Sequence, residues 1–169
     1  MIVETERLRA EPVAAEHAEE LRALLEDPRV GATLGGVLTP AQVRGSAEAM
    51  AEHWARHGFG YWVWRDRATG ELVGRGGLHH THVGGRDEVE VGWAVMADRW
   101  GEGFATEIGR ASARHAFGEL ELLDVVAFTL PDNHASRRVM EKLGFAYERD
   151  VLHAGLPHVL CRLTPGRLR

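Results

Sequence analysis

The stretch Trp100-Gly101-Glu102-Gly103-Phe104-Ala105 is the part of this sequence best suited to holding a ligand. It follows an alternating apolar segment that ends at Met96 and precedes a segment with helical spacing. Backbone N–H groups at a helix start lack internal partners and carry partial positive charge. Glycine lets the main chain approach a phosphate with no Cβ in the way. Gly101 and Gly103 supply that freedom, and Ala105 keeps the helix start small. A dinucleotide fingerprint would need Gly or Ala where Thr106 stands, and a nucleotide P-loop would need a Gly-Lys-Ser/Thr triplet that does not occur. Taken alone, the turn is also compatible with a plain strand-to-helix connection, because short glycine motifs are common.

The elements that must position this turn can be read from periodicity. Leu8 to Val13 reads as a strand and Ala14 to Leu25 as a helix, with Ala18, Leu21, Leu24 and Leu25 at helical spacing. Asp27-Pro28 ends that helix, and Gly31 to Gly36 reads as a loop. Thr39-Pro40-Ala41-Gln42 combines a cap, a first-turn proline and a capping box, so a helix runs from there to Arg56 and stops at Gly58. Tyr61-Trp62-Val63-Trp64 and Leu72 to His80 read as hairpin partners around an Asp66–Gly70 turn. After Gly84-Gly85, Val89, Val91, Trp93 and Val95 alternate with Glu88, Glu90, Gly92 and Ala94 in a third strand. Helices follow over Ala105–Phe117 and Asn133–Leu143, with strands over Asp124–Leu130, Phe145–Leu152 and His158–Leu163. Tight turns make the three central strands antiparallel, and the strand–helix–strand unit from Val89 to Leu130 adds a parallel pair. The class is α+β: a mixed, mostly antiparallel sheet of about seven strands with about four helices on its faces.

Composition narrows the function classes. A length of 169 residues with no linker or repeat fits one domain spanning the chain, large enough for a substantial core. The formal net charge of −5 gives no general attraction to nucleic acid or to an anionic membrane. No apolar stretch approaches the ~20 residues of a membrane span, and the N-terminus is too polar for a signal peptide. The lone Cys161 cannot form an intramolecular disulfide. A cytoplasmic location is expected. Oligomeric state cannot be read from the sequence, and a homodimer is the general prior.

Glu90-Val91-Gly92-Trp93-Ala94-Val95 followed by Trp100-Gly101-Glu102-Gly103-Phe104-Ala105-Thr106-Glu107 resembles the acetyl-CoA-binding motif of GNAT N-acetyltransferases. Asn133 to Phe145, with Ser136, Met140 and Glu141-Lys142-Leu143-Gly144-Phe145, resembles the second half of that signature. Thr5-Glu6-Arg7-Leu8-Arg9 and the Gly58–Leu78 hairpin add to a likeness with the branch that acetylates ribosomal-protein N-termini. The resemblance implies a sheet splayed at a central notch, with acetyl-CoA as co-substrate. Trp93, Ala94, Val95 and Met96 would line the pantetheine arm. The backbone of Trp100, Gly101, Glu102, Gly103, Phe104, Ala105 and Thr106 would bind the pyrophosphate, and Asn133 and Ser136 would contact the cofactor from the other side. Trp100 departs from the family's usual Gln or Arg, which matters little where main chain makes the phosphate bonds.

Acetylating an amine needs a proton acceptor, an oxyanion donor and a tolerable leaving group. A free α-amine has a pKa of about 8 and a lysine of about 10.4, so deprotonation at pH 7 costs about 1–2 and roughly 5 kcal/mol respectively. Glu90, alternating away from Val89 and Val91, is the first candidate base, and Glu88 on the same face is the second. Partial burial would raise the carboxylate's pKa and improve it. The oxyanion donor is expected to be a backbone N–H near Trp93–Val95. Many relatives place a tyrosine where Met140 stands, and methionine cannot donate a proton. The ribosomal-protein branch resembles this chain in having a serine three residues after the asparagine, and the resemblance implies that Ser136 serves the CoA thiol as donor or hydrogen-bond partner; the same position also suits a helix-start residue behind the capping Asn133.

No metal is expected, because His79, His80 and His82 lack an obvious further ligand. Tyr61, Trp54, Trp62 and Trp64 are candidates for core or cleft wall, and Arg137, Arg138 and Lys142 for the 3′-phosphate of CoA or a solvated face. The acceptor is an amine, either a peptide N-terminus or a small molecule, in a pocket built by the loops at Gly31–Gly36, His79–Gly85 and Ala154–His158. The alternative function on the same fold is a non-catalytic acyl-CoA-binding or sensing module.

Overall fold

The computed structural model describes residues 1–169. Eight strands form one sheet: β1 (Val3–Glu4), β2 (Leu8–Pro12), β3 (Tyr61–Asp66), β4 (Leu72–Val83), β5 (Arg86–Val95), β6 (Val125–Thr129), β7 (Ala146–His153) and β8 (Leu156–Leu163). Five helices accompany them: α1 (Ala18–Leu25), α2 (Pro28–Leu34), α3 (Pro40–His57), α4 (Phe104–Gly118) and α5 (His134–Leu143). The spatial order is β1-β2-β3-β4-β5-β6-β8-β7, and every neighbouring pair is antiparallel except β5–β6. The mixed, mostly antiparallel α+β sheet expected from the sequence is therefore present, with one more strand and one more helix.

The extra helix corrects the reading of Gly31–Gly36 as a loop. Asp27 caps α2 by accepting a hydrogen bond from the Arg29 N–H, and Pro28 occupies its first turn. The same Asp-Pro pair that stops α1 thus starts α2, because proline at the first helical position forfeits no hydrogen bond. The extra strand β1 is a two-residue addition at the sheet edge. The capping box of α3 forms as expected, with Gln42 N–H bonded to Thr39 Oγ1 and Thr39 N–H to Gln42 Oε1.

Packing on the two faces differs. Helices α4 and α5 bury Trp62, Trp64, Val91, Val95, Phe104, Ile108, Leu143 and their neighbours on one face. Helices α1, α2 and α3 bury Leu21, Leu24, Val30, Val43, Val63 and Ala94 on the other. Trp62 and Trp64 are therefore core residues and not cleft wall.

At the end of β3 a histidine takes over the ladder. His53 accepts from the His80 N–H through Nε2 at 3.0 Å, while its Nδ1 lies 2.9 Å from the Phe59 carbonyl. Accepting at Nε2 leaves Nδ1 as the donor, so the ring is neutral. Burial pulls its pKa down to about 4, with the charges of His79 and His57 acting in the same direction. His53→Ala would strand two backbone groups and open a cavity. The expected cost is about 3 kcal/mol, read as a lowered denaturant midpoint at unchanged m-value.

Candidate functional site

Strands β5 and β6 touch at a single rung, Glu90 opposite Val126, and then part. The parting has a backbone signature. Met96 N–H donates to the Val73 carbonyl, and the β4–β5 register runs unbroken from Val95–Gly74 to Arg86–Val83. Antiparallel alternation then turns the amides of Ala94 and Gly92 toward β4 and those of Trp93 and Val95 toward the open side. Trp100 Nε1 donates to the Val95 carbonyl at 2.8 Å, which closes the end of the free edge. The exposed edge is thus narrower than Trp93–Met96: Met96 spends its N–H on β4 and packs among the α1–α3 side chains.

Beyond this edge lies the glycine turn. Gly101 and Gly103 adopt φ of 84° and 85°, a region that side-chain-bearing residues rarely enter. Gly103 precedes α4, and the first intrahelical bond is from Glu107 N–H to the Gly103 carbonyl. The N–H groups of Phe104, Ala105 and Thr106 therefore point out of the helix start with no helical acceptor. Phe104 anchors the turn in the core, with the Arg7 and Arg99 guanidinium groups 4.3 and 4.7 Å from its ring centre.

On the far side of the notch, Asn133 caps α5 by accepting from the Ser136 N–H at 3.1 Å, and its amide donates to Thr129 Oγ1. Ser136 is thus a third-position helix residue, as its spacing predicts, and it also lines the cleft. Met140 is buried against the same cleft.

The cleft has a volume of about 520 Å³ and brings together Glu90, Trp93, Ala94, Val95, Trp100, Gly101, Gly103, Phe104, Ala105, Thr106, Asn133 and Ser136. Two expected residues fall outside it. Met96 faces the helices, and Glu102 turns its carboxylate to Arg99 and its carbonyl to Arg7. Arg138 and Lys142 line it, whereas Arg137 bonds the Pro131 carbonyl.

Glu90 is the acidic residue among those lining the cleft. It is half-buried, and desolvation pushes its pKa up to about 7 against the opposing pull of Arg75. The second candidate, Glu88, is committed elsewhere. It pairs with Arg162 at 2.8 Å, and that guanidinium also holds Asp124 and Glu148, stitching β5, β8 and β7 together below the closed end of the notch. Sequence alternation put both carboxylates on one face, but only the three-dimensional arrangement separates their surroundings.

Tyr61 lines the cleft, as do Thr33 and Leu34 from Gly31–Gly36 and His158 from Ala154–His158, two of the three segments expected to build the pocket; Val30, Arg75, Phe128 and His153 line it with no sequence signal. The segment His79–Gly85 does not line it; His79 instead stacks on His53 and Tyr61. No group of three or more His, Cys, Asp or Glu side chains is arranged to hold a metal. Burial raises the Cys161 thiol pKa, which disfavours the thiolate.

Comparison with known proteins places these features in context. The family model described as "Acetyltransferase (GNAT) domain" matches residues 7–146. An FsC-acetyl coenzyme A-N(2)-transacetylase of Aspergillus fumigatus is 34% identical over 158 residues, covering 85% of this chain and 64% of its own length. An uncharacterized N-acetyltransferase of Bacillus subtilis, YoaA, is 29% identical over 152 residues, covering 87% and 84%. The crystal structure of an acetyltransferase from Agrobacterium tumefaciens superposes with a TM-score of 0.85 at 26% identity, covering 96% of this chain and 94% of that one.

Proposed function

The chain belongs to the GNAT acetyltransferase family, and on that premise we propose that it moves acetyl from acetyl-CoA to a primary amine by direct attack within a ternary complex. The observation that carries this reading is the position of Glu90. A desolvated carboxylate stands at the last rung before the notch, beside backbone donors that face the same space.

The residues present suit the cosubstrate. A pyrophosphate fits the outward N–H groups of Phe104, Ala105 and Thr106, where both glycines of the turn leave the backbone open. A pantetheine amide can continue the sheet along Trp93 and Val95. A base with a pKa near 7 is about half deprotonated at neutral pH and basic enough to take the proton from the bound ammonium, which frees the amine lone pair for attack on the thioester carbonyl. The Trp93 or Val95 N–H serves the developing oxyanion without reorganisation. Ser136 is assigned to the departing thiolate. Because a thiol pKa of about 8.5 already makes a fair leaving group, the demand on Ser136 is small. Ser136→Ala should lower kcat only about 3- to 10-fold and leave the α5 cap intact, since Asn133 bonds the backbone N–H of residue 136. A loss above about 100-fold in steady-state assays would give Ser136 a larger part than this.

The direct test of the reading is thiol release from acetyl-CoA over a panel of peptides and small amines. Turnover with any amine supports it. Tight CoA binding with no release across a broad panel supports a non-catalytic acyl-CoA module instead.

A further inference from the structure

The acceptor half of the cleft has a floor that the donor half does not share. On the α1–α3 face of the sheet, cross-strand register places Tyr61 opposite Gly77, Gly77 opposite Gly92, His79 opposite Glu90 and Arg75 opposite Ala94. The two facing glycines clear a depression, and the Tyr61 ring lies across it, its hydroxyl over Gly92. The Arg75 guanidinium stacks on that ring, 4.7 Å from its centre. Phe128, His153 and His158 close the opposite wall.

Arg75 stands apart from the other cations of the cleft. Arg99 is paired with Asp66 and Glu102, while Arg138 and Lys142 belong to α5 on the cosubstrate side. Arg75 takes part in no ion pair, and its Nε is buried without a hydrogen-bond partner. A planar guanidinium fixed on an aromatic ring at the cleft wall, with no carboxylate of the protein to pair with, suits a bound carboxylate and its two-point geometry. The ring that holds it lies one alternate position along the strand from the rung of Glu90, roughly 7 Å of rise. A carboxylate and an amine on the same short acceptor span that separation.

We infer that the acetyl acceptor is a free amino acid or similar small amino carboxylate, with its carboxylate on Arg75 and its amine presented to Glu90. The inference rests on the amine-acetylation reading above and deepens it. It disfavours a peptide N-terminus, which carries an amide in place of that carboxylate. It also has a consequence for the base. The groups facing Glu90 are Tyr61 from β3, Arg75 and His79 from β4, and His153 and His158 across the cleft; the α2 residues that line it, Val30, Thr33 and Leu34, are uncharged, and Arg29 of α2 is paired with Asp27 and Asp98. Of these, Arg75 is the cation that holds the Glu90 pKa down. A bound carboxylate neutralises that cation, so the correct acceptor strengthens its own base.

The test compares a set of α-amino acids with their primary amides, with rates expressed per free amine. The wild-type enzyme should favour the acids about 10- to 100-fold in kcat/KM. Arg75→Gln should collapse the ratio toward one, and Arg75→Lys should restore part of it. The rising limb of kcat should lie at higher pH for acids than for amides by more in the wild type than in Arg75→Gln, a difference beyond the amines' own titration that a merely structural arginine would not produce. Equal turnover of acids and amides by the wild-type enzyme, or an Arg75→Gln loss that is the same for both, would overturn the inference while leaving amine acetylation standing. Absence of thiol release with acids, amides and simple amines alike would overturn both.

Discussion

Glu90→Gln is expected to reduce kcat/KM about 10²- to 10⁴-fold and, at the same time, to make the protein harder to unfold above neutral pH. The catalytic half follows from the base being active only when deprotonated. Wild-type activity should rise with pH through about 7, the value to which burial lifts this carboxyl. The variant should lose that limb and keep only the titration of the acceptor amine. The stability half follows from linkage. The carboxyl titrates near 4.5 when unfolded and near 7 when folded. Between those values the folded state holds more protons, so stability falls as pH rises through the window and stays lower above it. Glutamine carries no such charge, so the variant should gain about 1–3 kcal/mol at pH 8 and little at pH 4, or roughly 3–8 °C in Tm. An unchanged pH–rate profile would remove Glu90 as the base. A variant that loses activity without gaining stability at pH 8 would mean that the carboxylate is better solvated than its surroundings indicate.

Gly92→Ala should separate the two halves of the cleft. A Cβ there would collide with the Tyr61 hydroxyl and come within 3.1 Å of Cζ and 3.2 Å of Cε1. The ring cannot swing away freely, because His79 stacks on it with centres 5.7 Å apart and Arg75 lies over it. A displaced Tyr61 shifts Arg75 and the acceptor floor by a fraction of an ångström to an ångström, which is enough to cost about 10- to 100-fold in acceptor kcat/KM. The backbone of the glycine turn and the free edge at Trp93 and Val95 are not touched. The CoA dissociation constant, measured by calorimetry, should therefore stay within about threefold of wild type. Equal damage to CoA binding would show that the two arms are not independent. Unimpaired acceptor kinetics would remove Tyr61 from the floor.

The backbone elements of the proposed donor half were legible because they are local. The glycine turn, the alternation that isolates Glu90 and the offset from Asn133 to Ser136 are each set within a few residues, and each recurs in the structure. The acceptor half was not legible because it is assembled across strands. Arg75 acquires meaning only from lying over Tyr61 and near Glu90, and no spacing in Gly74-Arg75-Gly76-Gly77 announces that. Glu88 and Glu90 look alike in the sequence, and what distinguishes them is Arg162, 74 residues away. Helix α2 was misread for a different reason. Gly31 lowers helical propensity, yet tertiary packing of Val30 and the Asp27 cap outweigh it, and Gly35 only ends the helix in the left-handed region.

The single rung between β5 and β6 makes the sheet two ladders that share one step. Below that step the charge cluster around Arg162 rivets them, on one face Met140 and Leu143 of α5 pack with Ala113 and Ala116 of α4, and at the notch the starts of α4 and α5 face each other across the gap. A molecule lying along the free edge would supply the missing crosspieces. Occupancy would then act as mortar: the work of wedging the ladders apart would rise with cosubstrate concentration as RT ln(1 + [L]/Kd). The upper turns of β6 and α5 would be the first part of the protein to loosen when acetyl-CoA runs low.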